Sequence, residues 1–174
     1  ARSAMASPYG SDMNRLPALF ACLLLAAAGA FASDAPRELD WLELMPEDEV
    51  ELLRNAPAVD HSGMFTMEQQ GSFRTVQALH EQNIRMPGYI VPVDVDDDQK
   101  MSSFFLVPYF GACIHVPPPP PNQIVYVTLA TPIAVTDIYD AFWVEGTLRV
   151  ETVQKDIAAS AYVLAADKVT LYEG

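Results

Sequence analysis

The clearest structural signal in the chain is residues 142–151, FWVEGTLRVE, in which apolar and polar positions alternate. Phe142 begins an apolar set that continues at every second residue to Val150, and the positions between them are mostly polar. Successive side chains of a β-strand point to opposite faces, so a period of two predicts a strand with one buried face. We therefore expect a protein whose core is built from strands.

Shorter segments on both sides of this strand have a similar character. Apolar, aromatic or β-branched runs bounded by prolines and polar turns predict strands at 89–91, 104–107, 124–129, 161–166 and 169–172. Helical patterning is confined to Pro46–Arg54, where a proline and then acidic residues suit the first turn. Val50, Leu52 and Leu53 supply its apolar side. Short strands and one helix predict a mostly β protein, a small antiparallel barrel or sandwich.

The first 32 residues have the features of segments that do not belong to the folded domain. Residues 1–12 precede an internal Met13 and are predicted to be a cloning remnant. Residues 13–32 have a basic start, an apolar run and an Ala-Phe-Ala end, which predict a secretory signal peptide. We expect an N-terminal helix and irregular segment at 33–72 and a barrel domain at 73–174, both located in the periplasm.

Charge narrows the class of partner. The whole chain has 10 Lys and Arg residues and 23 Asp and Glu residues. Without residues 1–32 the balance is 8 against 22, a net charge of −14. Such a surface repels nucleic-acid phosphates and anionic lipid headgroups, but it tolerates cations and basic partners. We therefore expect no nucleic-acid binding, and no membrane-spanning segment once the signal peptide is removed.

An acidic turn at 94–100, DVDDDQK, separates two of the predicted strands. Three aspartates at alternate positions, beginning with Asp94, have the spacing of ligands in a calcium loop. That loop also requires Gly at its sixth position and Glu at its twelfth, where this chain has Gln99 and Phe105. The turn is therefore predicted to be a charged hairpin tip and not a calcium site.

The most distinctive segment is 105–123, FLVPYFGACIHVPPPPPNQ, which combines a cysteine, a histidine and five consecutive prolines. Cys113 is the single cysteine that follows the predicted signal peptide, so no intramolecular disulfide is expected. If Tyr109–Val116 is extended, Tyr109, Cys113 and His115 point to one face of the strand. The spacing then places a thiol and an imidazole side by side.

Three interpretations of Cys113 and His115 follow. They could ligate zinc or copper(I), with a third ligand from His61, His80 or a carboxylate, and we name them as candidate metal ligands. His115 could instead lower the pKa of the Cys113 thiol and make it a nucleophile or a redox group. Alternatively, Cys113 is a small buried apolar residue and His115 a hydrogen-bonding neighbour, which the lack of a complete ligand motif favours.

The proline run predicts a polyproline II rod of about 15 Å, at ~3.1 Å per residue. Its members are Pro117, Pro118, Pro119, Pro120 and Pro121. We expect the rod to pack on aromatic residues of its own domain, such as Tyr109, or to be offered to a partner. The candidate partner-binding residues are the five prolines, Tyr109, Asn122 and Gln123. Asn122 and Gln123 follow it and could satisfy backbone groups that prolines cannot donate to. Further candidate platforms, for which core packing is the default, are Trp41, Tyr89, Phe110 and Trp143.

Segment 105–123, together with RMPGYIVP at 85–92, resembles the bacterial exported family catalogued as domain of unknown function 3299. The motifs around Trp41, Trp143 and Tyr162 are similar to that family's flanking motifs, so the resemblance extends over almost the whole chain after the signal peptide. It implies an exported domain with an OB-like β-barrel. It also implies genes located beside ABC-transporter permeases, sometimes in zinc-responsive clusters. No catalytic residue carries over, because the family has no established set.

We therefore expect a non-enzymatic periplasmic accessory or binding protein, associated with an ABC-type transporter and with zinc or another metal. One alternative is a protein-interaction module that uses the proline run to assemble with itself or with a permease. The other is a thiol-dependent redox protein that uses Cys113.

Overall fold

The computed structural model describes residues 35–55, 68–113, 118–134 and 139–173. All of them fall within the unit Ala35–Gly174. The predicted cloning remnant and signal peptide lie outside the described residues, as do His61, His115 and Pro117. Within the described ranges, no helix has both the length and the apolar character needed to cross a membrane.

Six strands and one α-helix form the fold of the described residues. In chain order they are β1 Arg37–Glu38, α1 Glu47–Arg54, β2 Gln82–Val95, β3 Lys100–Val107, β4 Val125–Ala134, β5 Ala141–Gln154 and β6 Ala159–Leu171. The strands are ordered β1-β2-β3-β4-β6-β5 across the sheet, and β5 pairs again with β2. This second pairing closes β2 to β6 into a five-stranded barrel.

The barrel has an OB-like topology. β2, β3 and β4 form an antiparallel meander, and β5 and β6 form an antiparallel hairpin. β6 then joins β4 in parallel, while β5 joins β2 in antiparallel orientation. A closed five-stranded sheet of this kind is the arrangement of the OB fold. The predicted mostly β, OB-like barrel with an N-terminal helix is therefore confirmed.

The predicted alternation along β5 is the pattern by which this strand lines the barrel. Phe142, Val144 and Leu148 are buried in the main core, and the outward residues Trp143, Glu145 and Thr147 are only partly buried. Gly146 takes an inward position at which β6 approaches closely. A Cβ there would lie 2.1 Å from the carbonyl oxygen of Ala165, so this position requires glycine. A side chain at this position would separate the two strands.

The segment before β2 belongs to the core of the barrel. Leu39 and Leu44 are fully buried in the main cluster. Tyr162 on β6 donates a hydrogen bond from Oη to the Leu44 carbonyl at 2.8 Å and accepts one from the Val76 backbone N–H at 2.7 Å. One buried hydroxyl therefore ties two N-terminal segments to the barrel wall, and burial raises the pKa of Tyr162.

Helix α1 begins at Glu47, one residue after the predicted start at Pro46, and ends at Arg54 as predicted. Its buried side is narrower than its set of apolar residues. Val50 is buried, whereas Leu52 and Leu53 are 71% and 57% exposed. The helix has eight residues, and its first turn is anchored through Glu49, whose side chain is only 13% exposed. The second turn therefore projects into solvent, and of the three apolar residues Val50 is the one that packs inward.

Prolines do not interrupt β2, although sequence analysis placed only 89–91 in a strand. Pro87 lies where β2 pairs with β5 alone, and its carbonyl accepts a hydrogen bond from Trp41 Nε1 at 2.8 Å. Pro92 lies next to a bulge in the β2–β3 pairing. At both sites fewer backbone hydrogen bonds to neighbouring strands are required than at a central, regular position. Proline, which has no backbone N–H, is therefore tolerated there.

The segments predicted as strands at 161–166 and 169–172 form a single strand, β6. Asp167 and Lys168, which suggested a break, are exposed residues within it. Lys168 forms an ion pair with Glu145 on β5 at 3.0 Å. The acidic turn is the predicted hairpin tip, since Asp96 Oδ1 accepts hydrogen bonds from two backbone N–H groups of the turn at 3.0 and 2.8 Å.

Candidate binding surface

The chain turns sharply after β3, in the segment that contains the predicted site. Gly111 has a φ of 84° and Cys113 a φ of 65°, so residues 109–113 are not extended. The assumption that Tyr109 and Cys113 share one face of a strand is therefore wrong. Left-handed backbone at two alternate positions makes a compact turn instead.

Cys113 packs against a second apolar cluster. The buried members of this cluster are Val91, Phe105, Val107, Ala112, Ile124, Tyr126, Ala158 and Val163. Burial raises the pKa of the Cys113 thiol to about 11, so the group is protonated at neutral pH. Because the thiolate is the nucleophile, this environment favours the interpretation of Cys113 as a packing residue over that of a reactive thiol.

The metal interpretation stays a prediction, because His115 and His61 lie outside the described residues. In the described part of the chain, no three His, Cys, Asp or Glu side chains form a group suited to a metal ion. His80 lies beside β5, where its Nδ1 accepts a hydrogen bond from the Val150 backbone N–H at 3.2 Å. Binding of zinc by Cys113 would also require removal of a proton from a thiol with a raised pKa.

The proline run packs into its own domain along the part that is described. Pro119 and Pro121 are buried, and Pro118 and Pro120 are partly buried. Pro120 keeps polyproline dihedrals, with φ −52° and ψ 149°, whereas Pro121 begins a 3₁₀ turn that ends at Gln123. Of the two predicted arrangements, the described prolines therefore adopt the one in which the run packs on its own domain.

Gln69 holds this run against β6. Its Nε2 donates hydrogen bonds to the Pro119 carbonyl at 2.8 Å and to the Ala159 carbonyl at 2.9 Å. Its Oε1 accepts a third hydrogen bond from the Ala159 backbone N–H at 2.7 Å. Gly71, with a φ of 111°, lies so close that a Cβ there would be 2.6 Å from Pro120 Cβ. The run is therefore fixed by contacts far away in sequence.

The two amides that follow the prolines have the predicted kind of role. Asn122, which is fully buried, donates from Nδ2 to Glu49 Oε2 at 2.8 Å and to the Arg74 carbonyl at 3.0 Å. Gln123 donates from Nε2 to the Trp41 carbonyl at 2.8 Å. Both side chains thus satisfy backbone carbonyls of other segments, and they join the 3₁₀ turn to α1 and to the segment before it.

The exposed feature of this region is an aromatic surface, which we define as Tyr89, Tyr109, Phe110, Tyr139, Trp143 and Tyr172. The Phe110 ring lies 6.0 Å from that of Tyr89, edge to face, and 5.2 Å from that of Tyr139. The rings of Trp143 and Tyr172 are 5.2 Å apart. Exposed fractions are 44% for Tyr109, 44% for Phe110, 69% for Tyr139 and 41% for Tyr172.

Strand register brings Tyr89, Trp143 and Tyr172 onto one face. Ala141 pairs with Tyr89 on β2, and its carbonyl accepts a hydrogen bond from the Tyr172 backbone N–H at 2.9 Å. The small residue therefore lies between two aromatic ones. Trp143 is on the same face, two residues along β5. Arg85 stacks over its ring, with the guanidinium carbon 4.4 Å from the ring centre.

The sequence predicted part of this surface. Tyr89, Tyr109, Phe110 and Trp143 were candidate platforms for the prolines with core packing as the default, and all four lie at the aromatic surface. Trp41 instead packs against the main core. Tyr139 and Tyr172 were missed. The one signal for Tyr172 is its phase, because it continues the outward alternation of Lys168 and Thr170 along β6.

These features describe a small OB-like barrel that has a proline run packed on its own domain and an exposed aromatic surface. A family model described as "Protein of unknown function (DUF3299)" matches residues 41–171, and the chain belongs to this family. The chain is also similar to a DUF3299 family protein from Pseudomonas aeruginosa PAO1 whose crystal structure is known. The two are 41% identical with a TM-score of 0.66, over 80% of this chain and 98% of the other. No curated protein matches the chain.

Proposed function

We propose that this protein is a non-enzymatic accessory module of the bacterial periplasm that binds an ABC-type transporter permease through the aromatic surface. The observation that carries the proposal is the exposure of this surface, since four of its six rings are at least 41% exposed. Contiguous apolar groups at the surface of a folded domain mark interaction sites. The predicted signal peptide supports the periplasmic location.

The chemistry of the aromatic surface suits recognition of a protein. Tyr and Trp supply large, rigid contact areas and are enriched among the residues that dominate binding energy at interfaces. Charged groups surround the rings, including the ion pairs of Arg85 with Glu38 at 2.7 Å and of Lys168 with Glu145 at 3.0 Å. An apolar centre with a polar margin is the usual anatomy of a protein interface.

The environment of Cys113 supports a binding role over thiol chemistry. Burial raises the pKa of this thiol to about 11, so very little of it is thiolate at neutral pH. The segment that carries it is the turn that also presents Tyr109 and Phe110 to solvent. We infer that Cys113 serves as an internal anchor for this turn, so that the two rings keep their positions.

The family resemblance suggests which partner to test, since related genes are expected beside macrolide-exporter-type permeases. An exported module would meet only those parts of such a permease that lie outside the cytoplasm. The net charge of −13 favours a basic margin on the partner's interface.

The test is a calorimetric titration with the purified extracytoplasmic domain of the permease encoded beside the gene. The protein would be produced with its own signal peptide and recovered from the periplasmic fraction, which tests export as well. We expect one-to-one binding that Phe110→Ser weakens by about tenfold or more, as loss of an interface anchor does. Leu52→Ser is the matched control, because Leu52 is 71% exposed on α1.

Two results would contradict the proposal. One is the absence of binding by a folded wild-type protein that was recovered from the periplasm. The other is an equal loss of affinity in Phe110→Ser and Leu52→Ser, which would show that the aromatic surface is not the contact.

A further inference from the structure

A polar cluster lies at the end of β2, beside the β5–β6 turn at 155–158. Asp94 Oδ2 accepts hydrogen bonds from Ser103 Oγ at 2.5 Å and from Tyr126 Oη at 3.1 Å. Lys155 Nζ, from the turn, reaches the same oxygen at 3.1 Å. Ser103 and Tyr126 are only 3% and 9% exposed, whereas the Asp94 side chain is 51% exposed. Buried donors thus orient a carboxylate that solvent can reach.

Lys155 occupies this cluster in the manner of a ligand. Its ammonium nitrogen contacts the Asp94 carboxylate and lies 5.1 Å from the centre of the Tyr126 ring. A carboxylate beside an aromatic face is a common environment for an ammonium or guanidinium group. Hydrogen bonds from Ser103 and then from Lys155 lower the pKa of Asp94, so the carboxylate is charged at neutral pH.

A cleft of about 410 Å³ opens beside the cluster, between the end of β2 and the β5–β6 turn. Val93 and Ile157 give it apolar lining, and Ile157 is 43% exposed. Asp156 adds a further carboxylate to the lining. The two turns that flank the cleft correspond to the loops by which OB folds bind extended polymers. In this barrel the same place is acidic.

We infer that this cleft binds a basic peptide segment of a partner protein, whose lysine or arginine side chain takes the place of Lys155 between Asp94 and Tyr126. Lys155 is then an internal competitor that occupies the site in the free protein. The site is separate from the aromatic surface, and the inference does not depend on the proposed function.

The Lys155–Asp94 pair is suited to such an exchange. The two side chains are 31% and 51% exposed, and ion pairs at such positions contribute little to stability. One cation therefore replaces another at small cost. The incoming segment gains contacts with Val93 and Ile157, and the net charge of −13 attracts it over a longer range.

A peptide is favoured over a small amine because the carboxylate and the apolar lining lie side by side. A free polyamine would pair with the carboxylate and leave the exposed apolar side chain of Ile157 in water. An extended peptide presents alternate side chains at a spacing that suits both groups.

The test uses calorimetry with an acetylated, amidated peptide of three Lys-Val-Gly repeats, the same peptide with Glu in place of Lys, and spermidine. We expect the basic peptide to bind Lys155→Gln about two- to fivefold more tightly than wild type, because an exposed competitor is removed. Asp94→Asn should weaken binding by about tenfold or more, since a charge-assisted hydrogen bond is lost. The acidic peptide should not bind.

Lys168→Gln is the matched control, because it changes the net charge equally and breaks the ion pair with Glu145 on β5. An equal gain in Lys168→Gln and Lys155→Gln would overturn the inference, since bulk charge would then explain both. Unchanged binding of the basic peptide by a folded Asp94→Asn would also overturn it. So would a wild-type protein that binds spermidine but does not bind the basic peptide. The comparison of the two lysine variants stands even where Asp94→Asn proves unstable.

Discussion

Two parts of the molecule are built in opposite ways: the cysteine, prolines and amides of the most distinctive segment, and the surface that supports the proposed function. We call the first the inward segment, which comprises Cys113 and Pro118–Gln123. Cys113 and these prolines are wholly or partly buried. The side chains of Asn122 and Gln123 form hydrogen bonds with other segments of the chain. The aromatic surface consists of rings that mostly contact one another and of which four are at least 41% exposed. The difference teaches that one unusual motif can contribute both kinds of residue, since Cys113 and the described prolines pack inward while Tyr109 and Phe110 face water.

Substitutions in the two regions should also differ in their effect on the free energy of unfolding. A hydrogen bond removed from the inward segment leaves a buried polar atom without a partner, which costs more than the bond itself contributes. A ring removed from the aromatic surface leaves its neighbours in contact with water. Substitutions in the first region should therefore lower stability, and those in the second should lower affinity.

The largest expected effect is on the reactivity of Cys113. Its pKa is raised from 9.0 to about 11 by burial, so alkylation by iodoacetamide at pH 8 should be about one hundredfold slower in the native protein than in the denatured chain. The native rate should increase with pH up to about 11. Equal alkylation rates in the native and denatured states would show that Cys113 is not protected by burial, and would restore the nucleophile interpretation.

The same shift has a consequence for stability. A thiol that is protonated in the folded state and ionised in the unfolded state favours unfolding as pH rises. The stability that comes from burying the protonated thiol is therefore fully present below pH 9 and is lost between pH 9 and about pH 11. In Cys113→Ala this part of the pH dependence should disappear, as urea unfolding at a series of pH values would measure.

The next effect in size concerns Asn122. Asn122→Ala removes the hydrogen bonds to Glu49 and to the Arg74 carbonyl, in a place where Asn122 is fully buried. We expect the free energy of unfolding to fall by about 2–3 kcal/mol, the cost of unsatisfied buried groups. Asn55→Ala is the control, because Asn55 is exposed and its Nδ2 donates to the Glu51 carbonyl of α1. Urea unfolding that gives equal losses for both variants would show that the inward segment has no special energetic role.

The fold could be predicted because its signals are local. Alternation along β5 and the first turn of α1 each depend on neighbouring residues, so the strand and the helix start follow from the sequence. The aromatic surface depends on register, since only the pairing of Ala141 with Tyr89 and Tyr172 brings the rings together. The Asp94 cluster likewise requires β2, β3, β4 and a distant turn, and no periodicity within one strand reveals it.

The turn at Cys113 was missed for a different reason. Extended backbone was assumed over Tyr109–Val116, whereas Gly111 and Cys113 both have positive φ. Gly111 carried a signal, because glycine adopts such angles without cost. Cys113 carried none, since a residue with a Cβ takes this conformation only where surrounding contacts compensate. Tertiary packing against the second apolar cluster supplies them.

A smaller loss of stability is expected at Gln69, which joins the inward segment to β6. Gln69→Ala removes three hydrogen bonds, but Gln69 is only partly buried, so water can reach some of the freed groups. We expect a decrease in the free energy of unfolding of about 1–2 kcal/mol. Gln77→Ala, at an exposed position in the 3₁₀ turn before β2, should change stability very little. A loss at Gln69 as small as that at Gln77 would mean that the proline run is held by packing alone.

The smallest effect on stability should come from the aromatic surface, and there the comparison is sharpest. Phe110→Ala removes a ring that is 44% exposed and contacts Tyr89 and Tyr139. A well-packed aromatic pair contributes about 0.5–1.5 kcal/mol beyond its buried area. Because the Phe110 ring is 44% exposed, we expect both of its pairs to contribute less than this, and urea unfolding to show a loss of about 1 kcal/mol or less. If Phe110→Ala is as destabilising as Asn122→Ala, the ring belongs to the core and the surface is not free to bind. A small loss of stability combined with a loss of permease binding would instead show that the inward segment supplies rigidity and the rings supply contact.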